Sequence, residues 1–409
     1  MDHMTVQGDR DYGDYLSERG RRAGDALITD PTASANYISF IYGFPDSDTL
    51  PAGSVTETTH RVLTENPIWA LQYGAVNGPV QIREALLAKI KRDQGISASL
   101  EEIIVTAGSS QAIQLAVQLL VDPGDVIVAE SPTFLGFFDD VRNSGADICG
   151  VAIDQDGIRV DELEDVLKGL RSSGKKARLL YLLPNYQNPT GVCTSLERRK
   201  RIVELAEEFD TLIIEDDAYF DLRYEGEAIP TIYSLDPNGR TIYLGTLSKT
   251  LAAGFRIGWA IAPAPIIRRM AALKTDGGTN IFGSFIASAW LPEHFEAHVS
   301  ELRDVYRRRR DLTIGALEKH MPAGIDWSVP TGGFFVWVTL PEGLDTGAML
   351  AQAREMGIEY LPGSACYFDG SGGNKIRLSF SFARDEVIEE GIRRLADLVK
   401  SELAESISR

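Results

Sequence analysis

Cysteine and histidine are scarce in this sequence, with three and five residues among 409. Cys149, Cys193 and Cys366 are widely separated and form neither a Cys-x-x-Cys pair nor an even set, which argues against a disulfide framework and favours a reducing compartment. His294 and His298 are four residues apart, but no carboxylate accompanies them at the offset of a His-Glu-x-x-His motif. We therefore predict a cytoplasmic protein without a metal site.

Long apolar runs and excess positive charge are also missing. No apolar run is long enough to span a membrane, and the charged N-terminus lacks the apolar core of a signal peptide. The chain has 41 Lys and Arg against 59 Asp and Glu, a net charge of −18, which argues against nucleic acid and anionic membranes as partners. The basic run 307–310 lies in a helix-like stretch, where we expect a solvated or interdomain helix face.

Short apolar runs alternate with helical patterns between residues 80 and 245. We predict strands at 103–106, 126–129, 179–183, 211–215 and 241–245, and helices at 80–94, 108–121 and 195–209. This alternation is typical of an α/β protein with a mostly parallel, doubly wound sheet that is covered on both faces. Ligands bind outside the carboxyl ends of the strands in such sheets, and the polar clusters of this sequence fall at those ends.

The length of the chain allows one large and one smaller domain. We predict an N-terminal arm at 1–45 that belongs to the small domain, a large domain at 46–292 and a small α+β domain at 293–409. The arm is polar up to about residue 35, includes a short helix, and is extended from 37 to 45. Near residue 293 a charged helix replaces the strand–helix alternation, and this change sets the second boundary.

Lys249 ends a hydroxyl-rich turn that follows the predicted strand 241–245. A lysine among small and apolar residues needs a reason, because burying an unpaired ammonium is costly. Schiff-base chemistry is such a reason, since desolvation lowers the pKa of a lysine and makes its amine nucleophilic. Thr246, Ser248 and Arg256 could hold a phosphate nearby. Taken alone, an ordinary surface lysine remains the better interpretation of this stretch.

Four other positions could serve a planar, anionic ligand or serve the fold alone. Ser109 and Ser110 open a helix and offer an anion site, or only a helix N-cap. Phe134 could stack on a ring or pack in the core. Asp216, at the end of an apolar strand, could pair with a protonated ring nitrogen, cap a helix or hold a salt bridge.

Two polar side chains could face a substrate. Asn188 precedes Pro189, whose ring restricts Asn188 to extended geometry and aims its amide. Arg377 stands between Ile376 and Leu378 on a predicted strand and invites a bidentate carboxylate partner. The alternative for Arg377 is a structural ion pair.

The order of these parts resembles the fold type I pyridoxal-phosphate enzymes, and most closely the class I/II aminotransferases of the aminoadipate/kynurenine aminotransferase-like branch. The resemblance rests on Gly-Ser-Ser-Gln at 108–111, Asn-Pro-Thr-Gly at 188–191, Asp-x-x-Tyr at 216–219, Ser-Lys with an arginine seven residues on, and a late Ile-Arg-x-Ser at 376–379. The stretches 42–45 and 70–74 strengthen the branch assignment. The likeness covers about residues 37 to 400 and implies a homodimer.

The resemblance also implies roles for individual residues. Lys249 would form the Schiff base with pyridoxal 5'-phosphate and shuttle a proton, Asp216 would pair with the pyridinium nitrogen, and Tyr219 and Asn188 would bind the ring hydroxylate. The phosphate ligands would be Ser109, Ser110, Thr246, Ser248, Arg256 and Tyr73, the last reaching the neighbouring subunit's site. Phe134 would stack on the ring, and the substrate side would be formed by Arg377, Asn188, Gly43 and Tyr42.

Three positions depart from the common pattern of the family. Phe134 stands where tyrosine is frequent, Ser110 where glutamine is frequent, and Thr246 where serine is frequent. None of these changes removes cofactor binding. The reaction depends on other positions, because substrate-side residues distinguish aminotransferases from relatives with other chemistry.

We predict a PLP-dependent aminotransferase that moves an amino group between an α-amino acid and a 2-oxo acid. The alternatives are elimination or replacement, oxidation or carbon–carbon bond formation on the same fold, because the fold does not fix the reaction. A DNA-binding sensor with an aminotransferase-like domain is disfavoured by the acidic balance and the short N-terminal arm. The side-chain pocket is expected to draw on Tyr42, Tyr73 and the loop 275–281, which does not identify the substrate.

Overall fold

The computed structural model of the chain describes residues 12–24 and 36–408. Its helices are α1 Glu18–Arg22, α2 Ala52–Glu65, α3 Pro67–Leu71, α4 Val80–Gln94, α5 Ser109–Leu120, α6 Leu135–Ser144, α7 Val160–Ser172, α8 Leu196–Glu208, α9 Ile232–Leu235, α10 Ala264–Leu273, α11 Ile281–His320, α12 Leu350–Glu355 and α13 Asp385–Ser408. Its strands are β1 Ile38–Ser39, β2 Ile103–Thr106, β3 Val126–Ser131, β4 Asp147–Asp154, β5 Gly157–Ile158, β6 Ala177–Leu182, β7 Leu212–Asp216, β8 Thr241–Thr246, β9 Gly258–Ile261, β10 Asp326–Trp327, β11 Phe335–Thr339, β12 Ile358–Glu359, β13 Leu361–Pro362 and β14 Lys375–Ser379.

An eight-stranded sheet in the order β2-β9-β8-β7-β6-β3-β4-β5 forms the larger unit. The neighbours from β8 to β4 pair in parallel, whereas β9 runs antiparallel to both β2 and β8, and β5 closes a hairpin with β4. The predicted α/β fold with a mostly parallel, doubly wound sheet is therefore confirmed. All five predicted strands are present, and β4, β5 and β9 are additional.

The central strands are covered on both faces, which explains why they read as continuous apolar runs. Successive side chains of a strand point to opposite faces. Ile213 accordingly packs with Leu163 and Leu205 under α7 and α8, whereas its neighbour Ile214 packs with Ile113 of α5 on the other face. The sheet is thus the layer between two apolar cores, and only its edges and strand ends are open to polar groups.

A second, four-stranded antiparallel sheet in the order β10-β11-β14-β13 forms the smaller unit. Ile38 and Ser39 of β1, in the extended end of the predicted arm, pair in parallel with β12 as a separate two-stranded sheet, and Phe40 packs in the core of this smaller unit. α11 runs for 40 residues and passes the predicted boundary at residue 292 without a break. The division into 1–45, 46–292 and 293–409 stays a prediction, and residues 1–11, 25–35 and 409 of it lie outside the described residues.

The basic run 307–310 divides between surface and interior. Arg309 is buried and pairs through Nη2 with Asp46 Oδ1 at 2.8 Å and through Nε with Asp385 Oδ1 at 2.9 Å. Arg310 is buried against Glu225, whereas the side chain of Arg307 is half-buried and that of Arg308 is exposed. The buried half of the run therefore ties α11 to segments far away in the chain, and the other half is at least partly solvated.

The described residues contain neither a membrane-spanning helix nor a cluster of metal ligands. Within residues 12–24 and 36–408 no helix combines the length and the apolar character needed to cross a membrane. The same part of the chain holds no group of three or more His, Cys, Asp or Glu side chains that could bind a metal ion.

Candidate active site

The polar clusters of the large sheet meet in one cavity of about 180 Å³ at the carboxyl ends of its parallel strands. Ten predicted site residues line it: Ser109, Ser110, Phe134, Asn188, Asp216, Tyr219, Thr246, Ser248, Lys249 and Arg256. Phe44, Gly108, Leu183, Ala218 and Ala253 complete the lining. The structure therefore brings together most of the residues that the sequence singles out, from six separate stretches of the chain.

Lys249 follows β8 and extends its side chain into this cavity. Its Nζ donates a hydrogen bond to the carbonyl oxygen of Gly43 at 2.8 Å. Burial, together with the positive charges of Arg377 and Arg256, lowers the pKa of Lys249 to about 8 against the opposing effect of the Asp216 carboxylate. Roughly a tenth of such a lysine is neutral at pH 7, far more than of an ordinary lysine, and this fraction can act as a nucleophile or a base.

Asp216 ends β7 and is 4% exposed. Its Oδ2 accepts a hydrogen bond from the Tyr181 hydroxyl at 2.9 Å, whereas its buried Oδ1 has no hydrogen-bond partner among the described residues. Burial raises the pKa of Asp216 to about 6, although the Tyr181 hydrogen bond lowers it. Leaving a buried carboxylate oxygen unpaired costs free energy, so a protonated nitrogen of a bound group fits this position.

An anion site forms where α5 begins. Ser109 and Ser110 are the first residues of this 12-residue helix, whose N-terminal N–H groups and dipole favour negative charge. Arg256 reaches the same turn, where its Nη2 donates to Ala107 O at 2.9 Å. A Cβ added at Gly258 would lie 2.4 Å from the Gly108 carbonyl carbon, so the absent side chain lets β9 approach the turn.

Two hydroxyls complete this anion site from the side of β8. Thr246 Oγ1 lies 2.9 Å from Ser248 Oγ, and both side chains line the cavity beside Lys249. The N-terminus of α5, one arginine and four hydroxyl side chains suit a phosphate group.

Arg377 lies on β14 and is 5% exposed, yet both of its Nη atoms are bound to uncharged oxygens. Nη1 donates to Asn188 Oδ1 at 2.9 Å and Nη2 donates to Ile41 O at 2.6 Å, while the buried Nε has no partner among the described residues. The guanidinium carbon lies 4.4 Å from the centroid of the Phe335 ring. This arrangement differs from a structural ion pair and leaves the charge of Arg377 free for a carboxylate ligand.

Four predicted residues do not line the cavity: Tyr42, Gly43, Tyr73 and Arg377. Gly43 contacts it through the hydrogen bond to Lys249. Tyr42 stacks on Phe44, a residue of the lining, with ring centroids 4.8 Å apart. Tyr73 is 87% exposed and lies beside the loop 275–281, where a Cβ at Gly277 would be 3.7 Å from its ring.

Several residues of this site are missed by the sequence analysis. Tyr181 sits in an apolar strand and carries no polar signature of its own, although its hydroxyl is the partner of Asp216. Phe44 was noted only for the resemblance, and the backbone carbonyl of Ile41 has no sequence signal at all. One sequence signal could identify Tyr181. It is a tyrosine, with its polar hydroxyl, inside an otherwise apolar strand next to the strand that ends in Asp216.

A family profile described as "Aminotransferase class I and II" matches residues 44–395. The chain belongs to the class I and II aminotransferases. Members of this family depend on pyridoxal phosphate, so the chain is a PLP-dependent enzyme, and the predicted family, fold type I architecture and cofactor are confirmed. Nothing in the comparisons favours another reaction of the same cofactor over transamination.

Similar proteins cover nearly the whole chain. Aromatic-amino-acid aminotransferase 1 from Thermococcus litoralis is 39% identical over 96% of each chain, and 2-aminoadipate transaminase from Thermus thermophilus is 33% identical over 91% of this chain and 92% of its own. Among solved structures, a kynurenine aminotransferase from Pyrococcus horikoshii in complex with PMP has a TM-score of 0.91 at 37% identity, covering 98% of this chain and 100% of that one.

The charge of Arg377 can be separated from its shape by a pair of substitutions. Arg377→Leu removes a positive charge that disfavours protonated Lys249, so the pKa of Lys249 rises and its neutral fraction falls. We expect covalent capture of pyridoxal phosphate by the apoprotein at neutral pH to slow roughly 3- to 10-fold, as a pKa rise of about 0.5–1 unit requires. Stopped-flow absorption over a range of pH measures this rate.

The control is Arg377→Lys, which keeps the charge but not the planar fork. Its capture rate should stay near that of the native protein. Equal slowing in both variants would contradict an electrostatic effect of Arg377 on Lys249.

Proposed function

We propose that the cavity around Lys249 is the site of transamination and that Lys249 carries the cofactor. The observation that supports this most strongly is the unpaired Oδ1 of Asp216, because a buried carboxylate oxygen without a donor needs a protonated ligand atom. Lys249 and the anion site at the start of α5 lie on the same cavity. A ring with one basic nitrogen, one reactive carbonyl and one phosphate would match these three features: the nitrogen at Asp216, the carbonyl at Lys249 and the phosphate at the anion site.

The bound group supplies an electron-withdrawing ring, and the chain supplies the rest. Asp216 holds a proton on the ring nitrogen, and the hydrogen bond from Tyr181 keeps its carboxylate oriented. Ser109, Ser110, Thr246, Ser248 and Arg256 would hold the phosphate, Phe134 would pack against the ring, and Asn188 and Tyr219 would bind the ring hydroxyl.

Lys249 also moves the proton of the reaction. Its Nζ reaches into the cavity, and a pKa of about 8 would let the amine accept a proton from the substrate Cα and donate that proton again near neutral pH. Arg377 and Asn188 would orient the substrate by binding its α-carboxylate, and the backbone of Gly43 would approach it.

We propose aromatic α-amino acids as donors. Phe44 lines the cavity, Tyr42 stacks on it, and Phe382 meets both rings edge-on at centroid distances of 5.9 and 6.0 Å. Such a cluster offers a flat apolar wall to an aromatic side chain. The names of an aromatic-amino-acid aminotransferase and a kynurenine aminotransferase among similar proteins agree with this choice.

The reaction is tested by titrating the holoprotein with phenylalanine, tyrosine, kynurenine and 2-aminoadipate under a visible spectrum. We expect the aromatic donors to convert the cofactor to its amine form, and 2-oxoglutarate to restore the starting spectrum. Steady turnover without any oxo acid would contradict transamination. If 2-aminoadipate were the only one of the four donors to convert the cofactor, transamination would be supported and the aromatic preference contradicted.

We also propose a homodimer in which Tyr73 reaches the neighbouring cofactor. Three apolar side chains of α3 are largely exposed in one chain: Ile68 (72%), Trp69 (67%) and Leu71 (68%). Tyr73 lies two residues beyond Leu71. We call these four residues the α3 patch. An apolar surface of this kind marks a contact site, and the phenol of Tyr73 fits a phosphate of the second subunit.

Substitutions on the α3 patch test the dimer. Native protein should sediment at twice the mass of one chain, and Trp69→Asp should yield monomers because it places a charge in the contact. Tyr73→Phe should keep the dimer and weaken cofactor binding about tenfold, the effect of one hydrogen bond to a charged group. Sedimentation velocity and absorption titration measure the two effects.

Val329→Asp is the matched control, since Val329 is 61% exposed and lies outside the α3 patch. It should change neither mass nor cofactor binding. A native monomer, or a Trp69→Asp protein that still forms dimers, would contradict the proposed contact.

We propose that the enzyme works in the cytoplasm and in amino-acid biosynthesis. The support for the compartment is the cysteine pattern: Cys149, Cys193 and Cys366 are all free thiols.

A further inference from the structure

Gln187 is a buried amide whose four hydrogen-bonding positions are all filled. Nε2 donates to Pro132 O at 2.8 Å and to Glu130 Oε2 at 3.3 Å. Oε1 accepts from the backbone N–H of Thr190 at 2.9 Å and from its hydroxyl at 2.7 Å. Because a proline carbonyl can only accept and a backbone N–H can only donate, these partners fix which way the amide points.

The backbone of Gln187 also closes a tight turn. Its N–H donates to Val192 O at 2.9 Å, and its carbonyl accepts from Gly191 N at 2.6 Å. Gly191 has φ +73°, and a Cβ there would lie 2.5 Å from Phe335 O, so the turn packs directly against β11. The residue after Gln187 inside this turn is Asn188, whose Oδ1 holds Arg377.

The side-chain bonds of Gln187 join two loops that border the cavity from different strands. The loop after β6 carries Asn188, and the loop after β3 carries Pro132 and, two residues later, Phe134. Neither Glu130 nor Gln187 lines the cavity, and both are 1% exposed. Any shift of one loop must therefore break bonds to Gln187 or move the other loop with it.

Glu130 accepts a hydrogen bond from Gln187 and is itself held by the backbone of another segment. Its Oε2 also accepts from Leu183 N at 3.0 Å, at the end of β6. Burial raises the pKa of Glu130 to about 7 against these two hydrogen bonds, while Asp216 on β7 raises it and Arg199 on α8 lowers it by their charges. Oε2 can accept these hydrogen bonds whether the Glu130 carboxyl is ionised or neutral, so the link to Gln187 is kept in both states.

We propose that Gln187 is a positioning residue that locks the loops after β3 and β6 together and thereby sets Asn188 against Arg377 and the ring hydroxyl. This inference rests on the proposed function for the role of Asn188, but not for the link between the two loops. It predicts that a substitution of Gln187 changes both the cofactor spectrum and substrate binding, although the Gln187 amide contacts neither cofactor nor substrate.

Gln187→Glu is the direct test, because it keeps the shape while a carboxyl group replaces at most one of the two Nε2 donations, and neither of them when it is ionised. In the apoprotein, amide hydrogen exchange should accelerate in both 133–137 and 185–192. In the holoprotein, the pH midpoint of the visible cofactor band should rise by about 0.5 unit or more, since a misplaced Asn188 stabilises the ionised ring hydroxyl less. KM for the amino donor should rise roughly fivefold, the size of one net hydrogen bond, with a smaller change in kcat.

Gln94→Glu is the control for placing a carboxylate in the interior. Gln94 lies in α4, is 9% exposed and donates to the Tyr243 hydroxyl, and it does not line the cavity. Its substitution should lower stability without changing the spectral midpoint or the exchange of the two loops. Equal behaviour of the two variants would overturn the inference.

Thr190→Val is the milder variant if Gln187→Glu does not fold. It removes the hydroxyl that donates to Gln187 Oε1 and keeps the backbone donor, so we expect the same changes at smaller size. Its control is Thr313→Val, which removes a hydroxyl that is also buried and that donates to Arg309 O in α11. An unchanged 133–137 segment in both Gln187→Glu and Thr190→Val would show that Gln187 serves its own turn only. Coupled loops with an unchanged cofactor band would instead place the failure in the proposed role of Asn188.

Discussion

The structure depends on holding several charges at one end of a sheet whose two faces are apolar. Lys249, Arg256 and Arg377 lie close enough for the two arginines to lower the pKa of the lysine, and Asp216 opposes them. Such a set is unfavourable in a protein interior unless a ligand or partner supplies the missing interactions. Asp216 Oδ1 and Arg377 Nε are the buried atoms of this set that remain without a partner in the described residues.

The fold provides this site by ending parallel strands at the same edge. Each of β3, β6, β7 and β8 stops in a turn that carries one part of the site. The smaller unit adds Arg377 from β14, and the segment after β1 adds carbonyl oxygens that bind both Arg377 and Lys249. Arg309 fixes that same segment through Asp46, so a buried ion pair far from the cavity helps to position its wall.

The sequence predicts most of this arrangement, because the central strands and the polar turns after them carry strong local signals. Five buried strands were located from apolar runs alone. β4, next to the edge of the sheet, was missed because it is mixed in polarity and only partly buried, and β9 was missed because four residues with a glycine are too short for a pattern. Parts that depend on tertiary contact could not be predicted: the burial of Arg310, the pairing of Tyr181 with Asp216, and the four bonds of Gln187.

The most direct test of the account is to identify the lysine that carries the cofactor. Holoprotein would be reduced with borohydride, digested, and its peptides mapped by mass spectrometry. We predict a single phosphopyridoxyl group, on Lys249, at one per chain. A modified lysine elsewhere, or a holoprotein whose cofactor is released without covalent attachment after reduction, would contradict the assignment on which the rest of the site depends.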